Sequence, residues 1–388
     1  MRNVLPFPDG VRSFNAVQKH DNKKPYILFY GAGGGMRALL PLSVLSYIRE
    51  MRQSHFIHGV DCLAGPSTAS IYNAGFNRPS MDDPSEPFWS EADMHQNYEG
   101  AAKGIFHLHH VRRHMPLVSL YEGRKYNPEN LQSFLTELLG DTKIGDGIKS
   151  QIIPARALKG RNFYFKACKE NPEQGFASDL SLVDATLASA SHPGCFPSHS
   201  VSVNGSRYDL IDGGMFDTPL HTYLEIKRML PADREIYMIY MSTGNEPKHS
   251  YDASRFGQAG LSELFSLRRG MPLAQEKSAA DFQASMHQLR QELGARLVEF
   301  SFPLDELFLK GRVPFIDDAR PETIENYRRA SETLISAKQE TIREVADLLN
   351  WRETYDDLGI DLIPSSRLVD GLPFKGGAST LDARAGLP

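Results

Sequence analysis

The sequence has 388 residues, of which 41% are hydrophobic and 23% are charged, and its formal net charge is −5 at pH 7. These values are typical of a globular protein, and the length predicts one large α/β domain with additions rather than two equal domains. The acidic balance argues against a binder of nucleic-acid polymers, because such proteins usually carry a basic excess.

Cysteine usage and hydropathy narrow the expected location. Cys62, Cys168 and Cys195 cannot all pair within one chain, and they follow no metal-ligand spacing. They therefore predict a reducing compartment without a disulfide framework. The sequence contains no run of about 18 apolar residues, and its first residues lack the apolar run of a signal peptide. We expect a cytoplasmic protein whose contact with lipid, if any, is peripheral at the inner membrane face.

Two strand–turn–helix units open the predicted fold. After an irregular lead-in over residues 1–24, the first unit is predicted at 26–30, 31–35 and 38–53, and the second at 59–64, 65–67 and 68–76. Short apolar runs indicate the buried strands, and apolar spacing of three or four residues indicates the helices. Two such units in succession predict a parallel βαβ arrangement with a right-handed crossover.

The remaining segments extend this alternation. Residues 77–115 are rich in Pro, Asp, Glu and His, which predicts a long loop with short helices. Further helices are predicted at 128–139, 182–190, 261–297 (broken at Gly270 and Pro272) and 321–349, and further strands at 161–168, 207–211 and 235–241. We expect an α/β core at 25–245, a helical C-terminal part at 246–363 packed on that core, and a tail at 364–388.

A glycine-rich turn follows the first predicted strand. Gly33, Gly34 and Gly35 precede Met36 and Arg37 at the start of a helix. Glycines let the backbone approach a ligand closely, and N–H groups at a helix start point towards anions, so this loop can bind phosphate or form an oxyanion hole. The dinucleotide pattern G-x-G-x-x-G and the phosphate-binding pattern ending in Gly-Lys-Ser/Thr are both absent here. A glycine turn with only a packing role is the alternative.

The second turn predicts a nucleophile elbow. Ser67 lies between a predicted strand and a predicted helix, with Gly65 two residues before it and Ala69 two residues after it. Small residues at these positions prevent a clash between strand and helix, and the N–H of Thr68 can help to hold an oxyanion. Consecutive turns of a parallel sheet can lie side by side at its C-terminal edge, where ligands bind.

A third motif places a carboxylate at the end of a strand. Asp212 follows the run RYDLI and precedes Gly213 and Gly214. A local β-turn is the commoner role of Asp-Gly. A serine hydroxyl nevertheless needs a base, and a carboxylate in a dry site can serve instead of the usual His.

In this order, the three motifs resemble those of the patatin-like phospholipases. GAGGGMRALLPLSVL is similar to the family's oxyanion loop and helix, DCLAGPSTASIYNAGF to its elbow, and LIDGGMFDTPL to the region of its catalytic aspartate. YNPENLQSFLTELLGD, SLVDATLASASHPGCFP and MIYMSTG resemble connecting segments, so the resemblance covers roughly residues 25–245. It implies a three-layer α/β fold with a mostly parallel central sheet flanked by helices.

The resemblance also implies roles for individual residues. Ser67 is the expected nucleophile and Asp212 its base, without a catalytic His, cofactor or metal. The expected oxyanion hole consists of Gly33, Gly34, Gly35, Arg37 and Thr68, and Arg37 stabilises either the glycine loop or the oxyanion region. Gly65 and Ala69 are expected to shape the elbow, and Gly213 and Gly214 to support the aspartate. Several residues depart from the family pattern, namely Ala32, Ala38, Ala69, Ser70, Asp217 and Thr218. These departures are expected to narrow the active site around the elbow, and none of them removes a catalytic group.

The expected function is cleavage of fatty acyl esters of membrane phospholipids through an acyl-enzyme. Two alternatives stay open: an esterase, thioesterase or acyltransferase acting on other acyl donors, and a catalytically silent scaffold that binds a lipid or a nucleotide. Some patatin-like enzymes of bacterial antiphage systems are of similar size and are switched on by a cyclic nucleotide. A small regulatory nucleotide is therefore a further possible partner, and a homo-oligomer is a possible assembly.

Three other features have competing interpretations. The segment HLHHVRRH at residues 107–114 suggests a solvated loop or an anion-contacting patch more than a metal site, because it contains no carboxylate. His192 precedes Pro193 where the family usually has a small residue, so it either assists catalysis or is an ordinary loop residue. The apolar residues from Leu261 to Met271 predict a core-packing helix or, less often, an interfacial lid.

Overall fold

Strands and helices alternate along the part of the chain that the computed structural model describes. The described residues are 14–16, 25–106, 125–158, 160–193, 195–215, 217–245, 270–308, 313–358, 362–364, 368–369 and 372–373. The strands are β1 (Phe14–Ala16), β2 (Tyr26–Gly31), β3 (Cys62–Ala64), β4 (Ser150–Ala157), β5 (Asn162–Ala167), β6 (His199–Val203), β7 (Ser206–Asp212), β8 (Ile236–Met241), β9 (Leu297–Phe300), β10 (Leu362–Pro364), β11 (Leu368–Val369) and β12 (Leu372–Pro373). The helices are α1 (Leu39–Arg52), α2 (Thr68–Asn77), α3 (Glu91–Ile105), α4 (Pro128–Leu139), α5 (Leu182–Ala190), α6 (Pro219–Met229), α7 (Gly270–Leu293), α8 (Pro321–Ala337) and α9 (Gln339–Leu358).

Eight of these strands form one mixed sheet. Its order is β6-β7-β4-β3-β2-β8-β9, and β5 also pairs with β4. The four pairings from β4 through β3, β2 and β8 to β9 are parallel, whereas β5, β6 and β7 pair antiparallel. The predicted α/β class with a mostly parallel central sheet is confirmed. The first two predicted strands are β2 and β3, and their parallel arrangement is confirmed as well.

Alternate residues of the central strand β2 face two different helical layers. Ile27 and Phe29 belong to a buried apolar cluster that includes residues of α1, α2, α8 and α9. Leu28 and Tyr30 belong to a second cluster, which includes residues of α6 and α7. Side chains alternate across a strand, so a strand that is apolar at every position is buried on both faces. The sheet therefore lies between two layers of helices.

The C-terminal helices α8 and α9 pack on the same core. Ile324, Tyr327, Ala330, Leu334 and Ile342, which the sequence places on one side of a helix, are all buried. Arg352 of α9 is 1% exposed and donates through Nε to Oδ2 of Asp61 over 2.9 Å. The same oxygen accepts the backbone N–H of Ile27 over 2.8 Å. A buried cation paired in this way fixes α9 beside the first residues of β2 and β3.

The predicted loop at residues 77–115 instead contains the 15-residue helix α3. Ser90 and Asp93 form a capping box at its first turn, and Met94, Tyr98, Ala102 and Ile105 are its main buried contacts. Charged and small residues lie between the members of this apolar stripe, so the composition of the segment suggested a long loop with short helices. The capping box is the local signal that indicates the helix.

The two predicted C-terminal helical regions also differ from the structure. Helix α7 continues through Pro272, because this residue falls in the first turn, where a proline needs no intrahelical N–H partner. The predicted single helix over 321–349 is two helices, separated at Lys338, whose φ is −113° and ψ is 23°. Neither proline nor glycine marks this break in the sequence. Among the helices described, none is long and apolar enough to cross a membrane.

Candidate active site

Ser67 occupies a sharp turn between β3 and α2. Its backbone has φ 56° and ψ −129°, a conformation that residues other than glycine rarely adopt. At Gly65, where φ is 148°, a Cβ atom would lie 2.3 Å from the carbonyl oxygen of Gly31 and 2.7 Å from Cβ of Ala69. Glycine is therefore required at this position. The strained turn holds Ser67 at the C-terminal edge of the sheet, which is the geometry of a nucleophile elbow.

Helix α5 and strand β4 support the elbow from behind. The backbone N–H of Ser67 donates to Oγ of Ser189 over 3.0 Å, and that hydroxyl donates to the carbonyl of Pro154 over 2.5 Å. Oγ of Ser70 donates to the carbonyl of Ser67 over 2.6 Å. The amide and the carbonyl of Ser67 are thus both engaged, while its side chain lines a cavity. The turn presents the hydroxyl in one fixed place.

The glycine loop lies directly against this serine. A Cβ atom on Gly33 would be 3.0 Å from Cβ of Ser67 and 3.7 Å from its Oγ. Among the described residues, the N–H groups of Gly34, Gly35 and Thr68 have no hydrogen-bond acceptor. These N–H groups are therefore free to bind an oxyanion formed at Ser67.

Two segments far along the sequence, at Thr243 and at residues 314–316, also hold the glycine loop. The N–H of Met36 donates to the carbonyl of Ile316 over 2.7 Å, and Oγ1 of Thr243 donates to the carbonyl of Gly33 over 2.7 Å. Arg37 is 8% exposed and donates to the carbonyl of Pro314 over 3.4 Å. Of the two roles expected for Arg37, these contacts favour support of the loop.

We expect Gly35→Ala to lower both stability and activity. Gly35 has φ 55°, and a Cβ atom there would lie 2.1 Å from the carbonyl oxygen of Ile316. The loop or the segment at Ile316 must move, which should cost about 1–3 kcal/mol of unfolding free energy and about tenfold in ester hydrolysis. Thermal unfolding and turnover of a soluble ester measure both effects. Gly100→Ala in α3 is the matched control, since the new methyl group meets nothing within 4 Å there. Equal activity of the two variants would contradict a tightly constrained loop.

Asp212 ends β7 beside the elbow. It is 1% exposed, its backbone N–H donates to the carbonyl of Ser191 over 3.0 Å, and its Oδ1 accepts the N–H of Gly214 over 2.7 Å. Its Oδ2 is buried and has no hydrogen-bond partner among the described residues. Burial raises the pKa of Asp212, and the positive charge that His192 can carry, the Ser67 hydroxyl and the Gly214 N–H oppose that rise. A dry carboxylate with a raised pKa is a stronger base than an exposed one.

The two glycines after Asp212 allow it to approach the elbow. A Cβ atom on Gly213 would be 2.4 Å from the carbonyl of Pro154 in β4. On Gly214 it would be 3.1 Å from Oδ1 of Asp212, which is a tight contact, and 3.5 Å from Cγ of Pro66, the residue before the predicted nucleophile. The Asp-Gly-Gly turn is therefore packed between β4 and the elbow.

Ser67 and Asp212 open into one cavity of about 500 Å³. Gly33, Gly34, Gly35, Arg37 and Thr68 line it as well, so the structure brings these predicted residues together. Gly65, Ala69 and Gly213 do not line it and instead shape the two turns. Part of the cavity lining is apolar and belongs to or packs against one buried apolar cluster: Ile71, Ile105, Phe106, Leu131 and Phe196. A fatty acyl chain fits the chemistry of this part.

Asp217 forms a second buried carboxylate in the cavity wall, with a role that sequence reasoning did not foresee. Its Oδ2 accepts the hydroxyls of Tyr30 (3.2 Å) and Thr222 (3.0 Å), and its Oδ1 accepts the hydroxyl of Tyr164 (2.9 Å). Burial raises the pKa of Asp217 to about 7, although these hydroxyls oppose the rise. The only signal for it in the sequence was that Asp217 departs from the family pattern.

Asp217→Asn is expected to remove a pH dependence of stability. Because the folded-state pKa of Asp217 is raised, the proton is bound more tightly by the folded chain, so stability is highest below about pH 4 and falls as pH rises through about 7. The variant cannot ionise. Its free energy of unfolding should exceed that of wild type by a margin that grows by about 2–3 kcal/mol between pH 5 and pH 8. Denaturant unfolding at the two pH values measures the margin, and a constant margin would contradict the raised pKa.

Two features predicted from the sequence lie outside the described residues. They are the His/Arg segment 107–114 and the apolar segment from Leu261 to residue 269. In the part of the chain that the structure describes, no group of three or more His, Cys, Asp or Glu side chains could hold a metal ion.

The sequence of the chain is similar to a family of known proteins. Residues 32–224 match the family model described as patatin-like phospholipase. Patatin-like protein 2 of Arabidopsis thaliana is 26% identical over 199 residues, which make up 47% of this chain and 47% of that protein. The chain therefore spans about half the length of the curated relatives of this kind that it matches.

Two further similarities extend over more of the chain. A cGAMP-activated phospholipase of Pseudomonas aeruginosa is 24% identical over 270 residues, covering 68% of this chain and 74% of that protein. The crystal structure of VipD from Legionella pneumophila aligns with a TM-score of 0.34 and 10% identity, covering 87% of this chain and 72% of that one.

Proposed function

Since residues 32–224 make the chain a member of the patatin-like phospholipase family, we propose that it hydrolyses fatty acyl esters of membrane phospholipids through a Ser67–Asp212 dyad. The observation that carries the proposal is that Ser67, a buried carboxylate and the loop N–H groups converge on one partly apolar cavity, where the carboxylate Oδ2 and these N–H groups have no partner in the described part of the chain. Each group has a distinct part in ester cleavage.

The first half-reaction forms an acyl-enzyme. Oγ of Ser67 attacks the ester carbonyl carbon while Asp212 accepts the hydroxyl proton. The N–H groups of Gly34, Gly35 and Thr68 bind the negative charge that develops on the carbonyl oxygen. When the tetrahedral intermediate collapses, the lysophospholipid alcohol leaves with the proton held by Asp212. Ser67 then carries the acyl group as an ester.

The second half-reaction regenerates the enzyme. Asp212 accepts a proton from water as the water attacks the acyl carbonyl, and it returns that proton to Oγ of Ser67 when the bond to serine breaks. The fatty acid is the second product. The apolar wall at Ile105, Phe106 and Leu131 supports this substrate class, because it can bury the chain during both steps.

A labelling experiment tests the nucleophile independently of the substrate. A fluorophosphonate should modify wild type at Ser67, as located by peptide mass spectrometry, and should leave Ser67→Ala unmodified. Absence of labelling in wild type would favour the catalytically silent scaffold. Labelling together with hydrolysis of soluble esters or thioesters, but not of vesicle phospholipids, would favour the alternative acyl donors.

The assay also needs to include a regulator. Similarity to a protein whose name records activation by cGAMP supports adding that cyclic dinucleotide to the vesicle assay. We propose control by a small nucleotide, peripheral contact with a membrane and assembly into a homo-oligomer as properties to test alongside. Stimulation of fatty acid release by cGAMP would support the first of these, and equal release with and without it would contradict control by this ligand.

A further inference from the structure

His192 stands beside the proposed catalytic base. It lies in the connection between α5 and β6, one residue after Ser191, whose carbonyl accepts the N–H of Asp212 over 3.0 Å. Its side chain lines the same cavity as Ser67 and Asp212. The two segments that carry His192 and Asp212 are thus tied together at the active site.

The backbone holds His192 in a tight turn. Its N–H donates to the carbonyl of Ala190 over 2.8 Å, and its carbonyl accepts the N–H groups of Cys195 and Phe196, each over 3.0 Å. Three hydrogen bonds leave the backbone of His192 little freedom to move. The point on the backbone from which the imidazole reaches the cavity is therefore fixed, which favours a constant position of the ring.

Two buried polar atoms, both on residues that line this cavity, lack a protein partner among the described residues. One is Nδ1 of His192 and the other is Oδ2 of Asp212. A charge on His192 would also lower the pKa of Asp212, which is consistent with their proximity. Leaving such atoms unpaired costs about 1–3 kcal/mol each, and a bound water in a protein needs at least two polar partners. Because both residues line one cavity, a water molecule that enters between them can donate one hydrogen to each atom.

We propose that His192 is a further catalytic residue, which holds the attacking water of the second half-reaction together with Asp212. This inference rests on the proposed acyl-enzyme. One hydrogen of the water is donated to Oδ2 of Asp212 and the other to Nδ1 of the neutral imidazole. The water oxygen attacks the acyl carbonyl as Asp212 takes its proton, and that proton passes to Oγ of Ser67 when the fatty acid leaves. The imidazole keeps its own proton throughout.

This role separates the two half-reactions. Formation of the acyl-enzyme needs no water, so it should not depend on Nδ1 of His192. In His192→Phe the ring remains and the nitrogen acceptor is lost, so deacylation should slow by about 10–100-fold. In His192→Asn the amide oxygen can take the place of Nδ1, so deacylation should stay within about threefold of wild type.

The test uses the full chain and a chromogenic soluble ester in stopped flow. His192→Phe should keep the rate of the burst of first product and the rate of fluorophosphonate labelling at Ser67, while its steady-state rate falls. His192→Ala should show the same deficit, and added imidazole should restore part of the steady-state rate. Retained burst kinetics also establish that each variant is folded.

The remaining outcomes distinguish the two proposals. Steady-state rates equal to wild type in both His192→Phe and His192→Ala would overturn the role of His192 and leave the dyad intact. Burst and steady-state rates that fall together, without rescue by imidazole, would overturn it in favour of a purely structural residue. A wild type that is not labelled at Ser67 would overturn the proposed function itself.

Discussion

Ser67→Ala is expected to lower fatty acid release from mixed phospholipid vesicles by at least about 10³-fold. Removing a covalent nucleophile leaves only the contribution of the oxyanion hole and of substrate binding. Ser67 has the strained backbone of an elbow, its hydroxyl faces the glycine loop, and its amide is already engaged by Ser189. The neighbouring hydroxyl of Ser70 is not placed to replace its oxygen, because Oγ of Ser70 is bonded to the carbonyl of Ser67.

The comparison needs a serine variant that leaves the site unchanged. Ser202 lies exposed on β6, so Ser202→Ala should release fatty acid at the wild-type rate. Both variants should unfold at temperatures close to that of wild type, because neither removes a large buried group. Release by Ser67→Ala at more than a tenth of the wild-type rate would rule out Ser67 as the nucleophile.

The parts of the fold that local sequence signals determine were predicted well. Helix α4 begins and ends as expected, because Asn127 caps it, Pro128 takes its first position and Gly140 follows its end. Helix α5 likewise begins after the capping residue Ser181. Strands β2 and β3 were recognisable because buried parallel strands are apolar at nearly every position.

Other elements depend on pairing partners that lie far away in the sequence. Strand β4 was not predicted, since Pro154 interrupts its apolar run, yet it pairs with β3, β5 and β7. Strand β9 (LVEF) has only four residues, and it pairs with β8, from which α7 separates it in the sequence. Strand β6 is a different case, because it pairs with the next strand, β7, across the turn at Asn204 and Gly205, a local hairpin signal that was missed. Long-range pairing therefore decides β4 and β9.

The candidate site divides in the same way. Ser67, Asp212 and the glycine loop could be predicted, because each belongs to a short motif with its own backbone requirement. The hydrogen bond from Met36 to Ile316 joins residues that are 280 positions apart, and no local pattern indicates it. His192 stands out in the sequence as well, but its proximity to Asp212 follows only from the packing of α5 against β7.

Asp212→Asn should lower fatty acid release by about 10²–10⁴-fold while the oxyanion loop and the nucleophile remain in place. Asparagine has nearly the same shape and still offers an oxygen to the N–H of Gly214, but it cannot accept the proton of Ser67. Asp209→Asn is the matched control: it lies three residues earlier on β7, where its side chain is exposed. That control should retain wild-type activity.

The pH dependence of wild type provides a second measurement. Asp212 must be ionised to act as a base, and burial raises its pKa, so activity should be lost on acidification at a higher pH than an exposed aspartate would give. His192, from the connection between α5 and β6, opposes this rise, because a positive charge on its ring lowers the pKa of Asp212. A profile of kcat/KM for a soluble ester with a midpoint near pH 4 or below would contradict the raised pKa.

Stability and activity should change in opposite directions in Asp212→Asn. Because the pKa of Asp212 is raised in the folded chain, its contribution to stability is complete at low pH and is lost as pH rises through that value. At pH 8 wild type must bury a charged carboxylate whose Oδ2 has no described partner, whereas the variant buries a neutral amide. We therefore expect the inactive variant to be the more stable of the two at pH 8, with a difference that shrinks towards pH 4. A variant that loses activity and stability together would indicate that Asp212 holds the turn instead of accepting the serine proton.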